Sequence, residues 1–515
     1  MARLTIITIF LSFFVFHHGD AANILAVFPT QMKSHFIVGK HLLKELALAG
    51  HDVTVICPFK IKNPPKTYHE ITTTIPDQSF IDYANAVSKT ESIDPSMFFK
   101  FLKWGMDVNE ATLKDPAVQK LMKSGKKFDV MLYELFINEA ILGLAHHLKV
   151  PVIGVSTLGL SAFVTYYTGS NSPNSFVPNL MLGLPEEMSF KERLINTIGN
   201  LYFDVMMKVY FDPANEKCYQ ENFPDPKPTL DELRRTAVSM VLTNSHISLN
   251  GPKPFMSNVV EVGGIHIDEK LKPLPEDLQK FLDSSDEGVV YFCMGSTISP
   301  NAMLPEKRDA IIKGLSSIKE KVVWKWDHES GKTVDPTKFY TSTWLPQNEI
   351  LAHKNVKLFI THGGLLGTTE AVYHGVPLMG IPMFADQKTN MVSFRHTGLG
   401  LLLEYTNLTE TSFKEMLDEM LATDRYQIKS KEVARRFRDR PSNALQTAIY
   451  WIEYVVRHKG AKFMQSSALK LNNLQYYNLD VYGLMAFVVF LVLYLPYKLV
   501  KCICCRRKTG KSKTE

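Results

Sequence analysis

The chain has 515 residues, of which 45% are hydrophobic and 21% charged, and a formal charge of +6. That length exceeds one compact core and calls for two domains with additions, while an ordinary apolar fraction and the lack of any repeat exclude disordered, fibrous and solenoid classes. The charge is local, because residues 498–515 hold seven Lys or Arg against one Glu and leave the rest neutral, so no basic surface for nucleic acid is indicated.

At the N-terminus Arg3 precedes the apolar run 4–16, and small residues follow at Gly19 and Ala21, which is the grammar of a signal peptide over 1–21. Residues 23–28 and 52–57 read as strands around a helical stretch from His35 to Leu48, closed by Gly50, which makes one βαβ unit. Further strands are expected at 130–133 and 152–155. Residues 160–235, rich in Tyr, Phe, Met and Pro, carry no clear period and are expected to form helices and loops around the pocket of a first domain spanning 22–248.

Pro252, Pro254, Pro273 and Pro275 mark 249–285 as a linker. A second domain, 286–460, then repeats strand and helix: strands at 289–294, 322–326, 356–361, 377–381 and 400–403, and helices at 410–422 and 442–458. The expected fold class is α/β, with two doubly wound Rossmann-like domains facing each other across a cleft. A juxtamembrane segment, 461–480, leads to the uncharged run from Val481 to Tyr497, which can span a bilayer as a single transmembrane helix over 481–500. The basic tail, 501–515, then stays cytosolic and the body lies in the lumen.

Six cysteines do not make a disulfide framework: Cys57, Cys218 and Cys293 are distant in sequence and read as buried thiols, and Cys502, Cys504 and Cys505 abut the membrane, where acylation is open to them. No metal-ligand spacing occurs. Asn407-Leu408-Thr409 is a glycosylation sequon.

The chemistry concentrates in residues 344–387. The apolar run 356–361 stops at His362-Gly363-Gly364, where small residues let backbone approach a ligand. A helix is expected to start near Gly367 and to stop at Gly375 and Pro377. Its N-terminus offers unpaired N–H groups and a positive dipole end, which suit a diphosphate. Glu370, expected in its first turn, can accept hydrogen bonds from both hydroxyls of a ribose. Upstream, Trp344 offers a flat face for a base and Gln347 an amide for a pyrimidine or ribose edge. Downstream, Asp386 and Gln387 follow the next strand, where open α/β sheets bind ligands, and can bond sugar hydroxyls.

The order and spacing of these 44 residues resemble the signature of the family 1 UDP-glycosyltransferases, the group containing the membrane-bound glucuronosyltransferases of animals. The resemblance implies the two-domain arrangement known as GT-B. It also implies roles: Trp344 stacks on uracil, Gln347 reads the nucleotide, His362 with Gly363, Gly367 and the neighbouring backbone binds phosphate, Glu370 binds ribose, and Asp386 with Gln387 binds the sugar. Vertebrate and plant members commonly carry asparagine where Leu366 stands here, so backbone groups or Ser296 must compensate. The Leu-Leu variant resembles arthropod members, which mostly use UDP-glucose. Vertebrate glucuronosyltransferases place an arginine for the sugar carboxylate in a proline-rich segment, whose nearest match here is Lys253. A lysine offers only a point charge. The tail Lys511-Ser512-Lys513-Thr514-Glu515 resembles the dilysine signal that retains type I proteins in the endoplasmic reticulum.

A transferase needs a group to take the acceptor's proton. His35 fits, at the carboxyl end of the first strand and beside a helix N-terminus that Ser34 can cap and whose dipole favours the neutral imidazole. The family places an aspartate six residues past a phenylalanine to orient this base; counting from Phe128 reaches Glu134, with Glu139 as a reserve. The reaction implied is direct displacement with inversion, without metal or cofactor, UDP-sugar being a co-substrate and the acceptor a small lipophilic hydroxyl compound. A UDP-sugar-binding membrane protein without catalysis, in which Glu134 no longer supports His35, is one alternative, and a hydrolase or epimerase acting on the same donor is another. Self-association as an oligomer stays open.

Overall fold

The computed structural model describes residues 21–74, 95–159, 161–224, 228–295, 303–326 and 334–509. The signal peptide, Ser296 and the dilysine tail lie outside these residues. The chain forms two compact units, Met1–Met464 and Gln465–Glu515.

In the first unit, β1 (Asn23–Val27), β2 (Asp52–Cys57), β3 (Tyr68–Thr72), β4 (Val130–Glu134), β5 (Val152–Ser156), β6 (Val238–Thr243) and β7 (Val259–Glu261) form a sheet in the order β3-β2-β1-β4-β5-β6-β7. A second sheet takes β8 (Val289–Cys293), β9 (Lys321–Lys325), β10 (Phe339–Ser342), β11 (Val356–Thr361), β12 (Leu378–Gly380) and β13 (Gly400–Leu402) in the order β10-β9-β8-β11-β12-β13. All paired strands are parallel. Helices cover parallel sheets on both faces, which is why the central strands are buried throughout and read as unbroken apolar runs.

Each sheet reverses its winding once, between β1 and β4 and between β8 and β11. Such a reversal opens a crevice at the carboxyl ends of the strands. His35 and Glu134 flank the first crevice, and Gly295 and His362 flank the second.

Several expectations are corrected. The helix after β1 is Lys33–Leu48, two residues longer than expected, and Ser34 does not cap it: the N-cap is Met32, whose carbonyl accepts the N–H groups of His35 and Phe36. The helix after β11 starts at Leu365 rather than near Gly367, because Gly364 serves as N-cap; Glu370 therefore lies beyond the first turn. Strands β3, β6, β7 and β10 were not anticipated. Strand β7 falls inside the expected linker, with Val259 paired to Val241. The apolar run of β6 is broken by Ser239, whose hydroxyl donates to the Gly460 carbonyl. The helix Ala444–Arg457 packs Ala448, Ile452 and Val455 into the core of the first sheet, so the chain returns to the first domain after completing the second.

The second unit holds the helix Leu479–Thr509, of which Leu479–Ile503, 25 residues, is long and apolar enough to cross a membrane.

Candidate active site

The first crevice is built around a buried imidazole. His35 Nδ1 lies 2.6 Å from Glu134 Oε1, and Thr157 Oγ1 lies 3.1 Å from the same nitrogen. A carboxylate at that distance accepts the Nδ1–H, which leaves Nε2 as the basic nitrogen. Thr30 Oγ1 sits 2.9 and 3.1 Å from the two Glu134 oxygens, so the carboxylate is itself held. The extra methylene of glutamate does not prevent the contact that an aspartate makes in the resemblance. Phe136 closes one side, with ring centroids 4.5 Å apart. The reserve residue Glu139 is elsewhere: it is buried in a one-turn helix, where burial pushes its carboxyl up to about 8 against the counter-charge of Arg234.

The second crevice gathers the residues expected to cradle a nucleotide. Gly363, at φ +86°, makes the turn out of β11, and a Cβ there would lie 2.6 Å from Met391 Cγ. The His362 ring packs so closely over Gly295 that a Cβ on that glycine would come within 2.6 Å of it. Burial holds His362 down to about 4, helped by Lys325, so the ring is neutral at pH 7. Glu370 accepts from Gln347 Nε2, and Tyr291 donates to Gln347 Oε1 at 3.1 Å. Burial raises Glu370 to about 7, partly offset by that bond. The Trp344 indole is 64% exposed at the rim, with Lys325 Nζ 5.7 Å from the ring centroid.

Asp386 and Gln387 open the helix Gln387–His396. Asn390 Nδ2 donates to Asp386 Oδ2 at 2.7 Å and to the Gly363 carbonyl at 3.0 Å, which ties the expected sugar-binding loop to the expected phosphate turn. Burial raises the Asp386 carboxyl. Gln387 Oε1 accepts the N–H groups of Met383 and Phe384 at 2.8 and 3.2 Å, so its carbonyl serves the loop.

One cavity of about 350 Å³ brings His35 together with Trp344, Gln347, His362, Gly367, Glu370, Asp386 and Gln387. Ser296 lies outside the described residues. Lys253 is not brought here: it is paired with Glu186 and lines a neighbouring cavity that shares Leu158, Leu365 and Asp386. Asn407 is exposed in a one-turn helix and is not among the residues lining the cavity. Three polar residues escaped the sequence reading. Lys325 ends β9 and donates to the Gly295 carbonyl at 2.6 Å; its only signal is a cation at the carboxyl end of a buried strand. Thr30 and Thr157 follow β1 and β5 and carry no sequence signal of their own.

The family model for UDP-glucoronosyl and UDP-glucosyl transferase matches residues 23–514. A UDP-glycosyltransferase UGT5 from Dactylopius coccus is 35% identical over 93% of this chain and 91% of its own length. The human UDP-glucuronosyltransferase 2B17 is 33% identical over 97% and 96%. Among solved structures, a UDP-glucose: anthocyanidin 3-O-glucosyltransferase in complex with UDP aligns with a TM-score of 0.57 at 17% identity, covering 85% of this chain and all of that one. The calicheamicin glycosyltransferase CalG4 aligns equally well, with a TM-score of 0.57. The fold is GT-B.

Proposed function

Because the chain belongs to the UDP-glucoronosyl and UDP-glucosyl transferase family, and so is a UDP-glycosyltransferase, we propose that it moves glucose from UDP-glucose to a hydroxyl of a small lipophilic acceptor, with inversion. The observation that carries this is the 2.6 Å contact of His35 with Glu134 in the same cavity as Trp344 and Glu370. His35 Nε2 takes the acceptor's proton while Glu134 holds the imidazolium that forms. The acceptor oxygen attacks the anomeric carbon from the face opposite UDP; the bond from that carbon to the phosphate oxygen breaks, and an α-linked donor gives a β-glycoside.

Charge growing on the leaving diphosphate would be met by the N–H groups that open the Leu365–His374 helix, by neutral His362 and by Lys325. These donors support a reaction that needs no metal, and activity is expected to persist in excess chelator. Trp344 would stack on uracil, Glu370 would accept from the ribose, and Asp386 with Gln387 would bind the hexose. The contact of Glu134 with His35 supports catalysis over the reading as a binding protein without it.

Glucose is favoured over glucuronic acid by the charges at the sugar end. Among the described lining residues, the one lysine or arginine is Lys325, beside Gly295 and Trp344, whereas Asp386 stands where the hexose would lie. No lysine or arginine besides Lys325 is present among the described lining residues of this cavity to pair with a glucuronate carboxylate. We read the Leu479–Ile503 helix, which is long and apolar enough to cross a membrane, as an anchor in the endoplasmic reticulum, with the body lumenal and Asn407 glycosylated.

The test is a product assay on the membrane-bound enzyme with phenolic acceptors and either donor. A β-glucoside from UDP-glucose, and turnover abolished in His35→Ala with UDP binding intact, are expected. A glucuronide as the preferred product would overturn the donor assignment, and equal loss of binding and turnover would overturn the role of His35.

A further inference from the structure

A further cavity, of about 600 Å³ against about 350 Å³ for the active site, is walled by the helix Lys33–Leu48, by the segment 263–272 that joins the two sheets, and by the chain at 437–445. Its size suits a small-molecule site, for which about 300–1,000 Å³ is usual. Its charge is lopsided. Among the described lining residues, six lysines and arginines stand against three carboxylates, and of the six only Lys272 is ion-paired, with Asp268 at 3.2 Å.

The free cations come from all three walls. Lys40 and Lys44 lie four residues apart on one helix, where like charges repel. Lys270 belongs to the joining segment. Arg440 is half-buried, and its guanidinium donates to the carbonyls of Phe437 and Gly263 at 2.9 and 2.8 Å and lies 4.5 Å from the Phe437 ring centroid. Those contacts fix its plane without neutralising it. Burial lowers its pKa from the ordinary value, which the carboxylates of Glu261 and Glu269 offset only in part, and an arginine still stays charged at pH 7. Cations held around a hollow repel one another, and a multiply charged anion between them turns that repulsion into attraction.

The same walls reach the nucleotide site. Ile37, two residues after His35, lines both cavities. His266 lines the basic cavity, donates to the Leu366 carbonyl at 3.2 Å and lies 3.6 Å from Glu370. The Asp268 carbonyl accepts from Asn348, the neighbour of Gln347, at 2.9 Å.

We propose that this cavity binds a small soluble anion bearing two or more phosphate or carboxylate groups, which bridges Lys40 and Lys44 to Lys270 and Arg440 and thereby tightens the hold on UDP. The bridge ties the helix that carries His35 to the segment that carries His266, and so steadies the brace on Leu366 and Glu370. Enclosure by three chain segments fits a compact ion rather than an extended polyanion. The coupling rests on Glu370 serving the nucleotide, as proposed above, and it is reciprocal, so UDP must tighten the anion by the same factor.

The test uses the full-length chain in phosphatidylcholine nanodiscs and myo-inositol trisphosphate as the probe, titrated calorimetrically with and without saturating UDP. One anion per chain is expected. The triple variant Lys40→Ala, Lys44→Ala, Lys270→Ala should weaken the anion by roughly ten-fold or more, while Arg435→Ala, which removes an exposed cation outside the cavity, should leave it unchanged. The absence of binding, or equal weakening in both variants, overturns the site. With the probe saturating, the Kd for UDP is expected to fall by about five-fold, and this fall should vanish in the triple variant. A UDP affinity that is unchanged or weakened by the probe overturns the coupling, the weakening because it would mean that the anion competes for the diphosphate position. If UDP does not bind at all, the donor-site reading fails while the anion titration without UDP still decides the cavity.

Discussion

The buried imidazole of His266 lies 3.6 Å from Glu370 Oε1, and its Nε2 donates to the Leu366 carbonyl at 3.2 Å. Burial holds this ring down to about 4, so it is neutral, and the segment that joins the two sheets thereby braces both the first turn of the nucleotide helix and its expected ribose carboxylate. Replacing His266 by Ala removes that brace without touching His35. Its expected effect is a rise of roughly ten-fold in the Kd for UDP, the worth of about one hydrogen bond near a buried charge, with kcat at saturating donor retained. Calorimetric titration with UDP checks it, and an unchanged Kd would remove His266 from the donor site.

Donor affinity should depend on pH through Glu370. Burial raises this carboxyl to about 7, so in the empty site it is partly protonated at neutral pH. Ribose hydroxyls donate to the ionised form, which means binding must first expel the proton as pH falls below 7. The expected result is a KM for UDP-glucose that is flat above pH 8 and rises as pH falls toward 6, approaching ten-fold per unit well below the pKa. Glu370→Gln, which cannot ionise, should show a weaker but pH-independent KM. A KM in the unaltered enzyme that is flat across this range would exclude Glu370 as the titrating contact.

Glu134 is expected to act through His35 alone. Glu134→Gln keeps the side-chain length but offers Nδ1 an amide that can also donate, so the ring loses its fixed tautomer and the imidazolium its counter-charge. A fall in kcat of about 10² to 10⁴ is expected, with UDP affinity unaltered. Glu134→Asp should recover part of the rate if Thr30 can still hold the shortened carboxylate. Steady-state kinetics with donor saturation separate the two effects. A Glu134→Gln enzyme with ordinary kcat would break the dyad.

The contrast between what was readable and what was not has a physical origin. His362-Gly363-Gly364 ends an apolar run, and a glycine turn in that setting leaves few options, so the crevice of the second sheet was legible from residues 356–375. Strand β7 was not, because three residues carry no period and the surrounding prolines read as linker. Lys253 looked like a ligand for a sugar carboxylate because its motif is proline-rich, yet sequence could not disclose Glu186, which lies 67 residues away and takes up the charge. The switch from Ser34 to Met32 at the head of the Lys33–Leu48 helix is of the same kind: the backbone carbonyl of Met32 closes the first turn, and no side-chain signal was needed.

Gly363 should tolerate no side chain. Its φ of +86° disfavours any L residue, and a Cβ would meet Met391 Cγ at 2.6 Å and the Gln387 carbonyl oxygen at 3.0 Å. Gly363→Ala is expected to cost about 1–3 kcal/mol of stability from backbone strain and to displace the turn whose carbonyl Asn390 holds. Thermal unfolding reports the first effect and UDP titration the second. A variant with unchanged melting temperature and UDP affinity would mean that the turn relaxes freely.

Lys325 offers the sharpest separation between phosphate and sugar recognition. Its ammonium donates to the Gly295 carbonyl at 2.6 Å and lies over the Trp344 ring, beside the imidazole of His362. If it serves the diphosphate, Lys325→Ala must weaken UDP itself, by roughly 10- to 100-fold for a lost charge-assisted bond, and must weaken UDP-glucose by the same factor. If it instead serves a sugar carboxylate, UDP affinity should be untouched and only a glucuronate donor should suffer. Lys253→Ala is the companion control: since its charge is spent on Glu186, it should alter neither affinity nor the preference between the two donors. Parallel titrations of both variants with UDP, UDP-glucose and UDP-glucuronic acid distinguish these outcomes, and a glucuronate-specific loss in Lys325→Ala would reverse the donor assignment.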